Sequence, residues 1–372
     1  MAVAFATCCA ALLGAATLVD PLGILGEPIQ GFNHYKLQQR NAERIFKPYQ
    51  HAAARPDVVL FGTSRVGRSM RASWPGYPDE AVYNYALSGS LIEETILTVD
   101  HVLRTHPPKV MVVGIDRTGL TAHRDPVSTA RARGWDPARE WALENGLGFP
   151  FRLRDGVFSI DTLSWMRETL RASRRHDEDR FHERGYRVDW GEGGLSRQRW
   201  LVRTREYYDD RRDRRIPNYL VRAIGEAVQR WRESGVEVHV VFLPEHADIV
   251  VQAHHLPARR EGLEDVKRLL ASYTPFWDFF QVDGWTRDER NFSDAGHPAR
   301  RFGDRMVERI HGARGGPGRR ITTANVDRVL KRQRVRADAY LDENPFLHDL
   351  IERKHPRKVF ERRLKRHRRF LR

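Results

Sequence analysis

Cysteine is nearly absent from this chain. Its two copies, Cys8 and Cys9, are adjacent and lie in the apolar N-terminus, so neither a disulfide framework nor a cysteine-based metal site can organise the remainder. Lysine is also sparse, with arginine supplying nearly all of the positive charge behind a formal net charge of +15. A basic balance of this size points to an anionic partner. It comes without a zinc finger, a helix-turn-helix or an aromatic RNA-binding signature, so nucleic acid is not expected as a partner. No internal repeat is visible. His246, Asp248, His254 and His255 lack the spacing of a metal site and read as a polar loop lining a cleft, and no cofactor is expected.

Long hydrophobic runs are equally scarce. The one example, Met1 to Val19, ends at Asp20-Pro21. Nineteen residues would just cross a bilayer as a helix, and a secretory signal peptide is the rival reading. Neither has its basic leader, because Lys36, Arg40, Arg44 and Lys47 all follow the segment. Taken literally, that asymmetry would put the body in the cytoplasm. We expect instead a basic stretch upstream of Met1, residues 1–26 as an anchor or signal segment, and a periplasmic or otherwise extracytoplasmic body. Residues 27–55 then form a connector, helical from Asn33 to Gln50.

What the chain does have, from about residue 56 to 312, is a regular alternation. Val58 to Phe61 is a short apolar run between Pro56 and Gly62, as a strand buried on both faces requires. Ala81 to Leu87, Lys109 to Ile115, Val236 to Leu243 and Phe276 to Val282 are four more strands. Helices are predicted over Leu91 to Thr105, with Ser90 and Glu93 as a capping box, and over Pro217 to Ser234, Arg259 to Ala271 and Ala299 to His311. Strands alternating with helices imply a parallel sheet covered on both faces, with working residues at the carboxyl ends of the strands. Ser64, Gly89 and Asp116 fall there. Residues 118–216 are less regular, with some helix over Ile160 to Ser173, and read as a lid-like insertion. Residues 313–372 read as a basic tail beyond the Gly315-Gly316-Pro317-Gly318 linker, available to anionic lipid or glycan.

The chemistry-bearing residues stand at opposite ends of this pattern. Ser64 closes Asp57-Val58-Val59-Leu60-Phe61-Gly62-Thr63-Ser64, and Asp294-Ala295-Gly296-His297 lies far downstream. A serine hydroxyl needs a base to take its proton, and the base needs an acid to orient it. Each motif alone is weak, since a serine after a strand commonly caps the next helix. Their joint order on the expected strand ends is what carries weight. Trp285, close to the Asp294 turn, is the one tryptophan expected to serve as a platform for a sugar ring.

Gly62-Thr63-Ser64-Arg65 after one strand, Asn84 with Gly89 after the next, and a late Asp294-x-x-His297 resemble the SGNH/GDSL hydrolase superfamily. The apolar start followed by Asp20-Pro21-Leu22-Gly23-Ile24 resembles, more narrowly, membrane-anchored bacterial relatives such as alginate-type O-acetyltransferases. The resemblance implies an α/β/α sandwich of three layers around a mostly parallel, flavodoxin-like five-stranded sheet. It implies ester hydrolysis or acyl transfer through an acyl-serine, on acyl (acetyl) esters of a cell-surface polysaccharide. By that resemblance Ser64 is the nucleophile, His297 the base and Asp294 its orienter. The Ser64 and Gly89 amides form the oxyanion hole, and Asn84 braces the loop. The family places Gly-x-Asn-Asp after the third strand, where this chain has Gly114-Ile115-Asp116-Arg117. An ionised Asp116 cannot donate to an oxyanion. Arg65 or Arg117 is then the expected replacement donor, unless Asp116 is protonated. The alternative function is a non-catalytic envelope protein that uses the same cleft to bind acidic glycan or an assembly partner.

Overall fold

Alternation of apolar side chains about each strand axis decides the architecture. A computed structural model of the chain describes residues 2–120, 126–158, 161–175, 184–186, 200, 202, 204, 216–255 and 257–351. In it α1 (Ala2–Val19) and α2 (Glu43–Ala54) precede β1 (Val58–Phe61), and α3 (Ser64–Ser69), β2 (Val82–Asn84), α4 (Ile92–Thr105) and β3 (Val110–Ile115) follow. The central segment holds α5 (Pro126–Ala132), α6 (Pro137–Glu144), α7 (Gly148–Val157) and α8 (Thr162–Arg175). Then come α9 (Asn218–Glu233), β4 (Glu237–Phe242), α10 (Ala247–His255), α11 (Pro257–Tyr273) and β5 (Phe276–Asp278). A short ribbon of β6 (Phe292–Asp294) and β7 (His297–Pro298) leads into α12 (Arg300–Ile310), β8 (Arg319–Ile321), α13 (Val326–Glu343) and α14 (Phe346–Ile351).

The five expected strands form, and they pair in parallel in the order β2-β1-β3-β4-β5. Val59, Phe61, Met111, Val113 and Val240 enter one core with residues of α4, α9, α11 and α13. Val58, Leu60, Val110, Val112 and Val241 enter a second core with residues of α3 and α12. The period of two thus sends neighbouring residues to opposite layers. Helix α9 shows the complementary period: Leu220, Val221, Ile224, Ala227, Val228 and Trp231 are its buried stripe. Each such large side chain contributes roughly 1.5–3 kcal/mol by leaving water.

Three expectations are corrected. The sheet has six strands, because β8 pairs antiparallel with β5, Phe276 opposite Ile321. Residues 319–343 are therefore integrated into the fold, where a solvated tail was expected from 313; residues 352–372 lie outside the described residues. Buried Lys267 locks this addition in place. Its Nζ donates to Asp278 Oδ2 (2.7 Å) and to Gln333 Oε1 of α13 (3.1 Å), while Gln333 Nε2 donates to Asp278 Oδ2 (2.6 Å). Finally, α4 starts at Ile92 with Leu91 at its cap and no side-chain cap bond. The Ser90 hydroxyl turns instead to the Leu91 carbonyl and the Thr95 hydroxyl.

The N-terminal region and the insertion form a satellite core. Leu22, Ile24, Ala42, Phe46 and Tyr49 pack with Leu143, Phe151 and Trp165. Helices α7 and α8 thus lie against α1 and its following loop, and α6 lies against α2 and α4. Within the insertion, residues 121–125, 159–160, 176–183, 187–199 (with Trp190), 201, 203 and 205–215 lie outside the described residues. Among the described residues no helix is long and apolar enough to cross a membrane.

Candidate active site

Between β1 and β3 the strand order reverses, and in open parallel sheets the crevice at such a point is where ligands bind. Ser64 sits there. Gly62, with φ +149°, lets β1 turn under α3: a Cβ at Gly62 would lie 2.6 Å from Val66 Cγ2 and 3.1 Å from the Gly114 carbonyl oxygen. Thr63 caps α3, its hydroxyl accepting from the Arg65 amide at 3.3 Å, and Ser64 is the first helical residue.

His297 arrives from the other end of the chain. Asp294 and His297 face each other across the β6–β7 ribbon, and Asp294 Oδ1 accepts the Gly296 amide at 2.9 Å. Helix α12 then packs on α3 so closely that a Cβ at Gly303 would lie 2.0 Å from the Ser69 carbonyl oxygen. This contact closes 233 residues of sequence into one site. Ser64 Oγ lies 3.0 Å from His297 Nε2, and both Asp294 oxygens lie 2.9 Å from His297 Nδ1. The side chains of His297 and Asp294 keep 15% and 12% of their exposure, enough for a substrate to reach the pair.

Protonation follows from the partners. A carboxylate only accepts, so Nδ1 carries the ring proton and Nε2 is left to accept from the serine hydroxyl. Burial lowers the His297 pKa below its ordinary 6.5; Asp294 opposes that, and the charges of Arg68 and Arg65 reinforce it. Burial pushes Asp294 up, but the His297 hydrogen bond and charge, the Gly296 amide and Arg68 outweigh it and bring its pKa to about 2. At neutral pH the pair is a carboxylate beside a neutral imidazole, the state a general base requires.

The structure brings Asp116, Arg65 and Arg117 together. The Arg65 guanidinium is buried and engaged on three sides: Nε donates to the Gly296 carbonyl (2.5 Å), Nη2 to Glu245 Oε1 (2.5 Å), and Nη1 pairs with Asp116. Asp116 also accepts from the Thr63 hydroxyl (3.0 Å), the Thr118 amide (2.7 Å) and the Thr118 hydroxyl. Arg117 reaches Glu245 Oε2 at 3.4 Å and lies over the Phe280 ring. Held by these acceptors, Arg65 is a brace that ties the Asp294–His297 turn to α3. Arg117 meets the same Glu245 carboxylate and the Phe280 ring, while its Nε is buried without a hydrogen-bond partner among the described residues.

Asn84 is a brace too. Its Nδ2 donates to the carbonyls of Val66 and Met70, and its Oδ1 accepts from the Ala86 amide. Gly89 adopts φ +66° in the turn after β2, and its carbonyl accepts from Arg133 of the insertion at 2.6 Å. Among the described residues the Ser64 and Gly89 amides donate to no protein acceptor.

Trp285 is half-buried, edge-on to Phe302 at 5.9 Å with Arg305 over its ring at 6.0 Å, so it packs against α12. Asp248, His254 and His255 lie on α10 with His246 just before it, so this stretch is a helix where a loop was expected. Tyr340 donates to Asp248 at 2.8 Å, and Trp200 stands edge-on to His246 at 4.8 Å. Among the described residues no group of three acidic, histidine or cysteine side chains is placed to hold a metal.

Sequence reasoning missed Glu245, Arg68 and Gly303. Glu245 was accessible by the same rule that found Asp116, being the first acid beyond the carboxyl end of β4. Gly303 carries no local signal, because its requirement is set by a helix over two hundred residues away. No protein-family model matches the chain, and no curated protein matches it significantly.

Proposed function

We propose that this protein is a serine-dependent esterase or O-acyltransferase acting on acyl esters, acetyl above all, of a cell-surface polysaccharide. The observation that supports it is the continuous Asp294–His297–Ser64 hydrogen-bond chain at the switch point of the sheet. Ser64 Oγ attacks the ester carbonyl while His297 Nε2 takes its proton, and Asp294 stabilises the imidazolium. The imidazolium then protonates the departing alkoxide, leaving acyl-Ser64 and a free alcohol. A second hydroxyl, from water or a sugar, gives its proton to His297, attacks the acyl carbon and releases Ser64. The Ser64 and Gly89 amides serve the oxyanion, and losing one such donor costs roughly 100- to 1,000-fold in rate. The layout resembles SGNH hydrolases, and on the same reading residues 1–26 tether an extracytoplasmic body to the membrane.

A second reading rests on Asp116, a carboxylate paired with Arg65 where the resemblance to SGNH hydrolases would call for an asparagine donor. On that reading the cleft binds acidic glycan or an assembly partner without turnover. The two are separated by offering the protein a chromogenic acetate ester and a fluorophosphonate probe beside Ser64→Ala. Labelling and hydrolysis that vanish in Ser64→Ala support the enzyme; equal signals from both proteins remove it.

A further inference from the structure

Helix α12 starts three residues after His297 and leads away from it. About 14 Å further along its axis, at 1.5 Å per residue, its last turn borders a cavity of about 300 Å³. Strand β8, the first turns of α13 and Trp277 of β5 complete the walls. Six arginines line it: Arg309, Arg319, Arg320, Arg328, Arg332 and Arg336. The other lining residues are amides and two apolar side chains, with no aspartate or glutamate.

Among the described residues half-buried Asp283 registers on this cluster, its carboxylate feeling the charge of Arg336 from outside the lining. Three of the four acids of α13 are directed elsewhere: Asp327 pairs with Arg268, Asp338 with His255 and Glu343 with Arg287. Among the described residues Arg319, Arg320, Arg328 and Arg332 make no salt bridge. Arg328, Arg332 and Arg336 repeat at every fourth position, a spacing at which like charges destabilise a helix. Arg309 is fixed over the Trp277 ring at 5.1 Å and by its bond to the Pro317 carbonyl at 3.2 Å. Burial lowers its pKa, and the charges of Arg319 and Arg305 add to that. A locally unfavourable arrangement built on rigid elements is the mark of a site with a function.

We propose that this cavity binds a compact polyanion bearing phosphate groups, independently of the Ser64 centre. A uronate sugar filling the same space brings a single charge. Each phosphate brings up to two, with three acceptor oxygens that the planar arginine fork engages pairwise. The volume suits a small ligand or a head group, not a folded polymer. Two sources share this chemistry: a soluble phosphorylated molecule and the head group of an anionic phospholipid.

The test uses the full chain and sodium tripolyphosphate as probe, followed by titration calorimetry at low salt. The wild type and Ser64→Ala are expected to bind saturably at one site, with affinity falling as salt rises. The double variant Arg328→Gln/Arg332→Gln, altered only at exposed helix positions where glutamine is well tolerated, is expected to bind at least tenfold more weakly with an unchanged circular dichroism spectrum. Flotation with phosphatidylglycerol vesicles then assigns the source: binding lost in the double variant identifies a lipid head group, and tripolyphosphate binding without flotation identifies a soluble ligand. Equal tripolyphosphate affinity in wild type and double variant overturns the proposal, as does a galacturonate oligomer binding as tightly as tripolyphosphate. Because Ser64→Ala is expected to bind normally, loss of the esterase reading leaves this result standing.

Discussion

Replacing Gly303 with alanine should uncouple Ser64 from His297 without touching either. The added Cβ would lie 2.0 Å from the Ser69 carbonyl oxygen and 2.4 Å from its carbon. Both are backbone atoms inside a capped helix, so no rotamer change relieves the clash, and α12 must retreat from α3 by roughly 1 Å in a close-packed interior. His297 lies three residues before α12, and Ser64 opens α3. A retreat of that size carries the Oγ–Nε2 separation from 3.0 Å to about 4 Å, beyond hydrogen-bond reach. Misplacement of this order costs about 100-fold in rate, and the overpacking itself about 1–3 kcal/mol of stability. The assay is the rate of fluorophosphonate labelling of Ser64, measured well below the melting temperature. Gly284→Ala serves as control, since no atom lies within 4 Å of the added carbon. A folded Gly303→Ala protein that labels at the wild-type rate would refute the coupling.

Asp294→Asn should reduce labelling by about three to four orders of magnitude by allowing the wrong imidazole tautomer, and retention of a tenth of the wild-type rate would contradict it. The labelling rate of the wild type should rise with pH to a plateau whose midpoint lies below 6.5, because His297 is held below its ordinary value; a midpoint above 6.5 counts against that assignment. Arg65→Met leaves Asp116 and Glu245 buried without their shared cation and should cost about 3–5 kcal/mol in urea unfolding, whereas a loss under about 1 kcal/mol would show the brace to be dispensable. Buried His51 supplies the fifth test. Burial and the nearby charges of His101 and His106 bring its pKa from 6.5 to about 3. The unfolded chain therefore binds this proton first, and stability is lost as pH falls below 6.5, by up to about 1.4 kcal/mol per pH unit. His51→Phe should flatten the stability curve between pH 6 and 4, and parallel curves for the two proteins would overturn this.

The sheet was legible because its strands are short apolar runs set off by Pro56, Gly62, Pro107-Pro108 and Gly235, with helices of clear period between them. The serine, the acid and the histidine were legible because strand ends are where such groups collect. What was hidden depends on distant partners. Arg319-Arg320-Ile321 offers one apolar residue and reads as solvated chain; only the open edge of β5 makes it a strand. Arg65, adjacent to the key motif, read only as a candidate donor, because its pairing with Asp116 and Glu245 joins residues far apart in the chain. Trp285 lies near the Asp294–His297 turn in sequence, but Phe302 and Arg305, which pack against it, come from α12.

Order of synthesis gives the edge strand a further meaning. β8 and α13 emerge from the ribosome after every other strand, so the nascent sheet waits with one flank of β5 unpaired and Lys267 facing Asp278 without Gln333. An unpaired flank of that kind recruits other chains. Growth conditions that slow translation near residue 318 should accordingly send more of this protein into inclusion bodies.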